Sequence, residues 1–382
     1  MEKREWKMVE VRTVETKKDI RTFVEYPKKL YKGNPCYVPD LIASRMEDFD
    51  PERNPAFEYC DAKCFLAYQD GELAGRIAAI HNTKANQKFG KNYLTISSID
   101  FIDDDEVVDA LLKAAFDWGR EKHGCTLVHG PLGFSDMDPE GMLVDGFDRM
   151  GLYYTYYNYP YYIRQMERMG FSKEVDWVEC RITIPDQPIP RLTKISNEVL
   201  KRKKLHIIEL GAKEKPIAEL AEDMFKLWNE TYLALFGVVP MTRKQVEKYT
   251  AEFLPVLNKR TTCFVYNDEG DMVAFGICSP ALETAQRQNG GRLFPLGWIP
   301  MLQALKGRND TVDLLLIAVR PDLQMSGINA VVIDNLLGKM IKHHVKYAET
   351  GPMLELNDKV QSQLKLFEHE QHKRRRCWVR DL

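Results

Sequence analysis

Two stretches of this chain read alike, and that constrains its fold more than anything else in the sequence. Cys64-Phe-Leu-Ala-Tyr-Gln-Asp-Gly71 continues as Glu-Leu-Ala-Gly-Arg-Ile-Ala-Ala-Ile80. Cys263-Phe-Val-Tyr-Asn-Asp-Glu-Gly270 continues as Asp-Met-Val-Ala-Phe-Gly-Ile-Cys278. The paired cysteines and the paired glycines are each 199 residues apart. Each stretch reads as a strand, a tight acidic-glycine turn and a second strand. The same elements then follow in both halves. A strand comes next (93–102; 311–319), then an amphipathic helix. Val107, Leu111, Leu112, Ala115 and Trp118 share a face of the first helix. Ile328, Val331, Val332, Leu336 and Ile341 run along the second, with Asn335 as a polar exception. A short strand (126–129; 347–356), another helix (161–169; 360–370) and a closing strand (177–184; 375–379) complete each half. Helices also precede the hairpins, as at 217–232. A repeat of this length predicts two copies of one mixed α/β architecture.

The chain is long enough for two such domains: 382 residues, 44% hydrophobic and 29% charged. The segment Pro185–Pro190, PDQPIP, carries three prolines close to the midpoint, which suits a linker. The predicted domains are therefore 1–187 and 188–382. Residues 191–204 read as a basic, partly helical lead-in whose charges face water. A formal net charge of -2 argues against a nucleic-acid partner. No apolar run approaches the ~20 residues of a membrane helix. The N-terminus MEKREWKM lacks the apolar core of a secretory signal, which predicts a cytoplasmic protein. Eight scattered cysteines form no CxxC pair. Buried, reduced thiols are expected, and no metal site.

The join between strand 311–319 and its helix carries the clearest chemical signal. It reads Ala318-Val-Arg-Pro-Asp-Leu-Gln-Met-Ser-Gly-Ile-Asn-Ala330. Amides at a helix start lack intrahelical acceptors, carry partial positive charge and can hold an anion. Gly327 lets backbone approach that anion closely. An ordinary strand-to-helix turn fits the same residues. Neither a Walker loop nor a dinucleotide fingerprint is present. With the element order, Arg320-x-x-x-Gln324-x-x-Gly327-x-x-Ala330 resembles the GNAT acyltransferases, whose Arg/Gln-x-x-Gly-x-Gly/Ala loop cradles the coenzyme A pyrophosphate. Asn329 stands where that family usually has glycine or alanine. The resemblance covers nearly all of 205–382. It implies two tandem domains, each with a mixed, mostly antiparallel central sheet flanked by helices. It also implies acetyl-CoA or another acyl-CoA as co-substrate, held by Ala318, Val319, Gln324, Met325, Ser326, Gly327, Ile328, Asn329 and Ala330. Asn357 matches an asparagine that often contacts the coenzyme. The first half resembles the same fold with the loop lost. Its Asp103-Asp104-Asp105-Glu106 would repel a pyrophosphate and suits helix capping. A divalent cation on that acidic run is the alternative. The whole chain resembles tandem-GNAT bacterial proteins through 130–148, GPLGFSDMDPEGMLVDGFD, and the tyrosines of 153–162.

Acyl transfer to an amine needs a base, a donor to the thioester oxygen and often an acid for the departing thiolate. The resemblance implies a backbone amide near Ala318 or Val319 for the oxygen. Asp313 and Glu355 are the candidate bases. The family's acid tyrosine aligns near Phe367, which has no proton to give. The 130–148 loop and the tyrosines can line an acceptor pocket or serve as turns and packing. Segment 281–309 includes the apolar LFPLGWIPML of 293–302, suited to covering a pocket or to a contact between domains or copies. Lys373–Arg376 reads as an exposed strand edge guarded by charge. The expected function is acyl-CoA-dependent transfer to an amine on a small molecule or peptide. A non-catalytic ligand-binding module and a tRNA-dependent aminoacyltransferase are the alternatives.

Overall fold

The computed structural model describes residues 8–253, 257–306 and 310–382. Its strands are β1 (Val9–Thr13), β2 (Cys60–Gln69), β3 (Glu72–Asn82), β4 (Tyr93–Phe101), β5 (Leu127–Gly130), β6 (Met142–Asp145), β7 (Ser172–Thr183), β8 (His206–Ile208), β9 (Thr262–Tyr266), β10 (Met272–Pro280), β11 (Thr311–Val319), β12 (Tyr347–Thr350), β13 (Met353–Leu354) and β14 (His369–Asp381). Its helices are α1 (Lys17–Leu30), α2 (Ile42–Asp48), α3 (Thr83–Phe89), α4 (Asp105–His123), α5 (Tyr161–Arg168), α6 (Pro190–Lys203), α7 (Ile217–Tyr232), α8 (Arg243–Phe253), α9 (Glu283–Asn289), α10 (Trp298–Leu305), α11 (Ile328–Lys342) and α12 (Asp358–Leu364). The class is mixed α/β. No helix among the described residues is long and apolar enough to cross a membrane.

The chain divides into two compact units. The first takes residues up to Val178 together with Glu283–Trp298 and His372–Leu382. The second takes Glu179–Leu282 and Ile299–Gln371. The 185–190 proline stretch lies inside the second unit and leads into α6, where Pro190 takes a first-turn position with no amide to satisfy.

In the first unit β1, β2, β3 and β4 pair antiparallel in sequence order, and β4 pairs parallel with β5. β14 then pairs antiparallel with β5 and with β6. The β2–β3 turn places Asp70 and Gly71 at φ 50° and 85°, the two left-handed positions of a tight hairpin. In the second unit β8, β9, β10 and β11 repeat the antiparallel run, and β11 pairs parallel with β12. Arg181–Thr183 of β7 close that sheet against β12. The mostly antiparallel sheet expected from the sequence is present in both units.

Each unit has its own core. α4 covers the first sheet through Val107, Leu111, Leu112 and Ala115, and α11 covers the second through Val331, Val332 and Leu336. Gly75 and Gly276 sit under these helices, each in the second strand of its hairpin. A Cβ there would stand 2.6 Å from Leu111 and 2.5 Å from Val332. The missing side chain lets helix and sheet approach in each unit. All eight cysteines are buried and unbridged.

The last strand departs from the sequence expectation. Residues 375–379 do not close the second sheet. They belong to β14, whose Trp378 enters the first core. Nor is Lys373–Arg376 an exposed edge: Lys373 and Arg375 are 1% and 0% accessible. Arg375 donates to the Tyr156 carbonyl and to Thr155 Oγ1, while Arg374 and Arg376 hold the buried Asp176 carboxylate at 3.1 and 2.8 Å. The cations therefore fix where the strand docks, because only a site offering those acceptors makes their burial tolerable. The helix expected at 360–370 ends at Leu364, where β14 soon takes over the chain.

Candidate active site

β11 and β12 run together only from Thr311 to Leu314, opposite Tyr347 to Thr350. Beyond Leu314, β11 continues to Val319 with β10 alone beside it. Leu314 to Ile317 are accordingly only partly buried although they lie mid-strand. Leu316 faces Ile277 and Leu314 faces Cys278, so Leu315 is an extra residue, a β-bulge. A bulge leaves its residue out of the ladder and re-aims its backbone. Tyr232, at the end of α7, donates to the Ile317 carbonyl at 3.0 Å, and its hydroxyl accepts from the Ile317 amide at 3.3 Å. Both groups of Ile317 thus point away from β10, toward the open edge.

That edge runs directly into the loop singled out by sequence. Arg320 pairs with Asp322, and a short 3-10 turn spans Pro321–Leu323. Gln324 reaches back to the Val319 carbonyl at 3.4 Å and takes a hydrogen bond from Lys359 at 3.1 Å. Ser326 donates to the Leu323 carbonyl. Met325 is 93% exposed with φ 61°, and Gly327 at φ 88° precedes the first turn of α11. Ile328 and Ala330 turn inward to the core and Asn329 is partly buried. A groove of about 730 Å³ lies beside the loop, lined by Met325, Ser326 and Gly327 on one side and by Ile195, Glu198, Val199, Lys201 and Arg202 of α6 on the other. Two cations against the single carboxylate of Glu198, a hydroxyl and the start of a 15-residue helix therefore border one hollow.

The candidate carboxylates separate. Asp313 is fully buried in β11. In register it faces Ser279 of β10 and Glu349 of β12, and Glu349 in turn faces Arg181. Arg181 Nε lies 3.7 Å from Glu349 Oε1. Glu179, also fully buried, lies two residues before Arg181 and so on the same face. This row of acids lies where β11 and β12 begin to part. Burial, with Asp313 nearby, pushes the Cys278 thiol up, so that sulfur stays protonated. Glu355 lies instead in the turn after β13, where its carbonyl accepts from Gln361 at 2.8 Å. Asn357 caps α12 by accepting from the Val360 amide at 3.4 Å. Ala318 and Val319 pair regularly with Phe275 and Ala274, three or more residues past the bulge. Glu349, Glu179, Tyr232 and the cations of α6 carry no local signal in the sequence, since only register and packing bring them here.

The corresponding place in the first unit is filled. β4 leaves β5 after Thr95, and Ser98 at φ 44° lies in a ladder irregularity. The Tyr162 hydroxyl accepts from the Phe101 amide at 3.0 Å, and Tyr161 donates to the Phe101 carbonyl. Tyr156 lies 3.3 Å from both Ser97 and Ser98, and Arg45 donates to Ser98 at 3.0 Å. At the start of α4, Asp104 accepts from the amides of Glu106 and Val107. Gln165 of α5 donates to Asp103 and Asp105 at 3.1 and 2.8 Å. The acidic run is thus helix cap and tether. Elsewhere in this unit His129, Glu174 and Cys377 lie close together. Glu174 already meets Tyr93, His129 and Cys377 at 2.8, 3.0 and 3.4 Å, and Thr95 lies 3.0 Å from the other His129 nitrogen. The cluster is a satisfied hydrogen-bond network.

No family model matches the sequence. The chain is 26% identical to Protein YghO of Escherichia coli (strain K12) over 378 residues, spanning 97% of this chain and 95% of that protein. It is 24% identical over 316 residues to a bacterial ceramide synthase of Caulobacter vibrioides (strain NA1000 / CB15N), covering 82% and 81%. Among solved structures, a tandem GNAT protein from the clavulanic acid biosynthesis pathway matches at TM-score 0.56 and 11% identity, over 98% of both chains. A GCN5-related N-acetyltransferase from Sphaerobacter thermophilus matches at 0.50 and 10%, over 98% of this chain and 95% of that one. These matches over nearly the whole chain show that its fold is the tandem GNAT fold.

Proposed function

We propose that the second unit is an acyl-CoA-dependent N-acyltransferase and that the first unit binds no coenzyme. One observation carries the reading. The β11 edge has no strand beside it past Leu314, carries the Tyr232 hydroxyl on Ile317, and leads into the Gln324–Gly327 loop and its groove, whereas Tyr156, Tyr161, Tyr162 and Arg45 together fill the matching place in the first unit. Bound acyl-CoA supplies the activated thioester. The amides at the start of α11 and Ser326 suit its pyrophosphate, and Lys201, Arg202 and Lys359 add positive charge. An extended amide chain laid along β11 displaces the Tyr232 hydroxyl from Ile317. The Leu315 bulge aims a backbone donor for the thioester oxygen. Glu349, less buried than Asp313, is the carboxylate best placed to accept a proton from the amine, with Asp313 behind it. These roles for Leu315, Glu349 and Tyr232 are part of the proposal, as is the amine acceptor.

The name of one relative bears on the donor. A ceramide is the amide of a fatty acid and a long-chain amino alcohol, so a long acyl-CoA and a lipid amine stand beside acetyl-CoA and a small amine. The test is calorimetric titration of acetyl-CoA and palmitoyl-CoA into wild type, Ser326→Asp and Lys201→Glu. Binding is expected for wild type, weakened about tenfold or more in each variant, ~1.4 kcal/mol. Thiol release on adding amines then follows turnover. Equal affinity in all three proteins moves the coenzyme elsewhere. Binding without thiol release for any amine favours a non-catalytic ligand-binding module.

A further inference from the structure

α10 and the turn before it have apolar residues on every side. Met301 faces inward, while Trp298, Ile299 and Leu302 are 44%, 37% and 41% exposed. Just before the helix, Phe294 and Leu296 are 81% and 66% exposed. A helix apolar all round belongs in a core or against lipid, and this one has water on its outer face. The exposed side chains do not hang from a slack loop. The Trp298 amide donates to the Leu293 carbonyl at 2.8 Å, and Asn289 donates to the Gly297 carbonyl at 3.2 Å. A Cβ on Gly297 would fall 1.8 Å from the Arg292 carbonyl, so glycine permits the bend that carries Phe294 and Leu296 outward.

Charge indicates what covers this surface. From Thr284 to Lys306 the chain has no acidic residue. Exposed Arg287, Arg292 and Lys306 flank the apolar run, and Lys28 of α1 bonds the Gly290 carbonyl at 2.6 Å. Glu25 offsets part of this charge, 2.9 Å from Arg292 and near enough to act on Lys28. Apolar side chains with an aromatic among them, bordered by cations, match the boundary between acyl chains and anionic headgroups. A short helix with one turn is also narrow for a stable dimer, which needs about 800 Å² per partner.

We propose that Phe294, Leu296, Trp298, Ile299 and Leu302 dock this protein on the surface of an anionic lipid bilayer. The apolar side chains enter the headgroup layer and the flanking cations meet lipid phosphates. This is peripheral attachment with no span, and it does not rest on the acyl-transfer reading. The test uses the full chain without coenzyme. It is sedimented with vesicles of phosphatidylcholine, and of phosphatidylcholine mixed with phosphatidylglycerol. Wild type is expected to pellet with the mixed vesicles more than with the neutral ones. Phe294→Ser/Leu296→Ser should lower the apparent affinity about tenfold or more, and Leu302→Ser less, with thermal melts unchanged because these side chains are exposed. Failure of wild type to pellet with either vesicle overturns the proposal. So does pelleting of the double variant like wild type. A wild-type dimer that the double variant converts to monomer assigns the patch to a second copy and likewise overturns it.

Discussion

At the residue scale, a buried pair of Arg76 and Asp100 ties the first unit together. Their side chains are 1% and 7% accessible and 2.7 Å apart. Burial holds the Asp100 carboxyl above its ordinary range, and Arg76 opposes that rise. Tyr31 donates to the same carboxylate at 2.6 Å and lies 2.8 Å from the Tyr162 hydroxyl, which caps β4. The pair thus anchors the tyrosines that fill the first unit's counterpart of the proposed site. Arg76→Leu leaves a buried carboxylate without its cation and is expected to cost about 3–5 kcal/mol, read as a fall in the urea midpoint. A midpoint within experimental scatter of wild type would mean that Tyr31 and solvent suffice. Such pairs are hard to see in sequence. Arg76 reads as one polar residue in an apolar strand, and Asp100 meets it only through the β3–β4 register. Asp313 was legible as a carboxylate in an apolar strand. Glu349 was not, because nothing in Tyr347-Ala-Glu-Thr350 marks it until β12 lies beside β11.

At the element scale, the join of β11 to α11 combines two demands on one residue. Gly327 takes a left-handed φ of 88°, and a Cβ there would lie 3.1 Å from Val199 of α6. The glycine serves the packing of α6 on the loop, quite apart from the anion site proposed there. Gly327→Ala is therefore expected to destabilise by about 1–2 kcal/mol, from backbone strain and crowding. Ser326→Asp, with ordinary backbone at 326, should leave the thermal midpoint within a degree or two. If Gly327→Ala melts like wild type, α6 yields more readily than the contact implies. The hairpin turns, the α4 cap and the helix stripes could all be read in advance because each depends on neighbours in sequence. The segment 347–356 could not be read in full: it breaks into β12, an interruption at Gly351 and Pro352, and β13. The Gly351 amide turns to the Leu314 carbonyl at 3.3 Å, a partner distant in sequence.

At the scale of the whole molecule, the first unit depends on the last strand of the chain. Trp378 is part of its core, and Cys377 lies within its Glu174 network. Deletion of His372–Leu382 removes these together with the cations that hold Asp176. Hydrogen exchange should then show protection lost across β4 and β5 while β9 to β11 keep theirs. Uniform loss in both units would show that they do not unfold separately. A sequence read as two self-contained halves predicts the opposite pattern, with the second unit suffering from loss of its own C-terminus.

The sequence by itself determined the repeat, the mixed class, the two hairpins, the two sheet-covering helices and the position of the helix-start loop. Each of these follows from periodicity, turn chemistry or capping, which act over a few residues. Tertiary structure alone decided which sheet takes the last strand, that Arg375 is buried rather than exposed, and that tyrosines fill the first unit's opening while the second keeps a basic groove. Those outcomes depend on where acceptors such as Asp176 and the Phe101 amide come to lie. Such positions are fixed only when distant strands choose their neighbours, and no local pattern in the sequence encodes that choice.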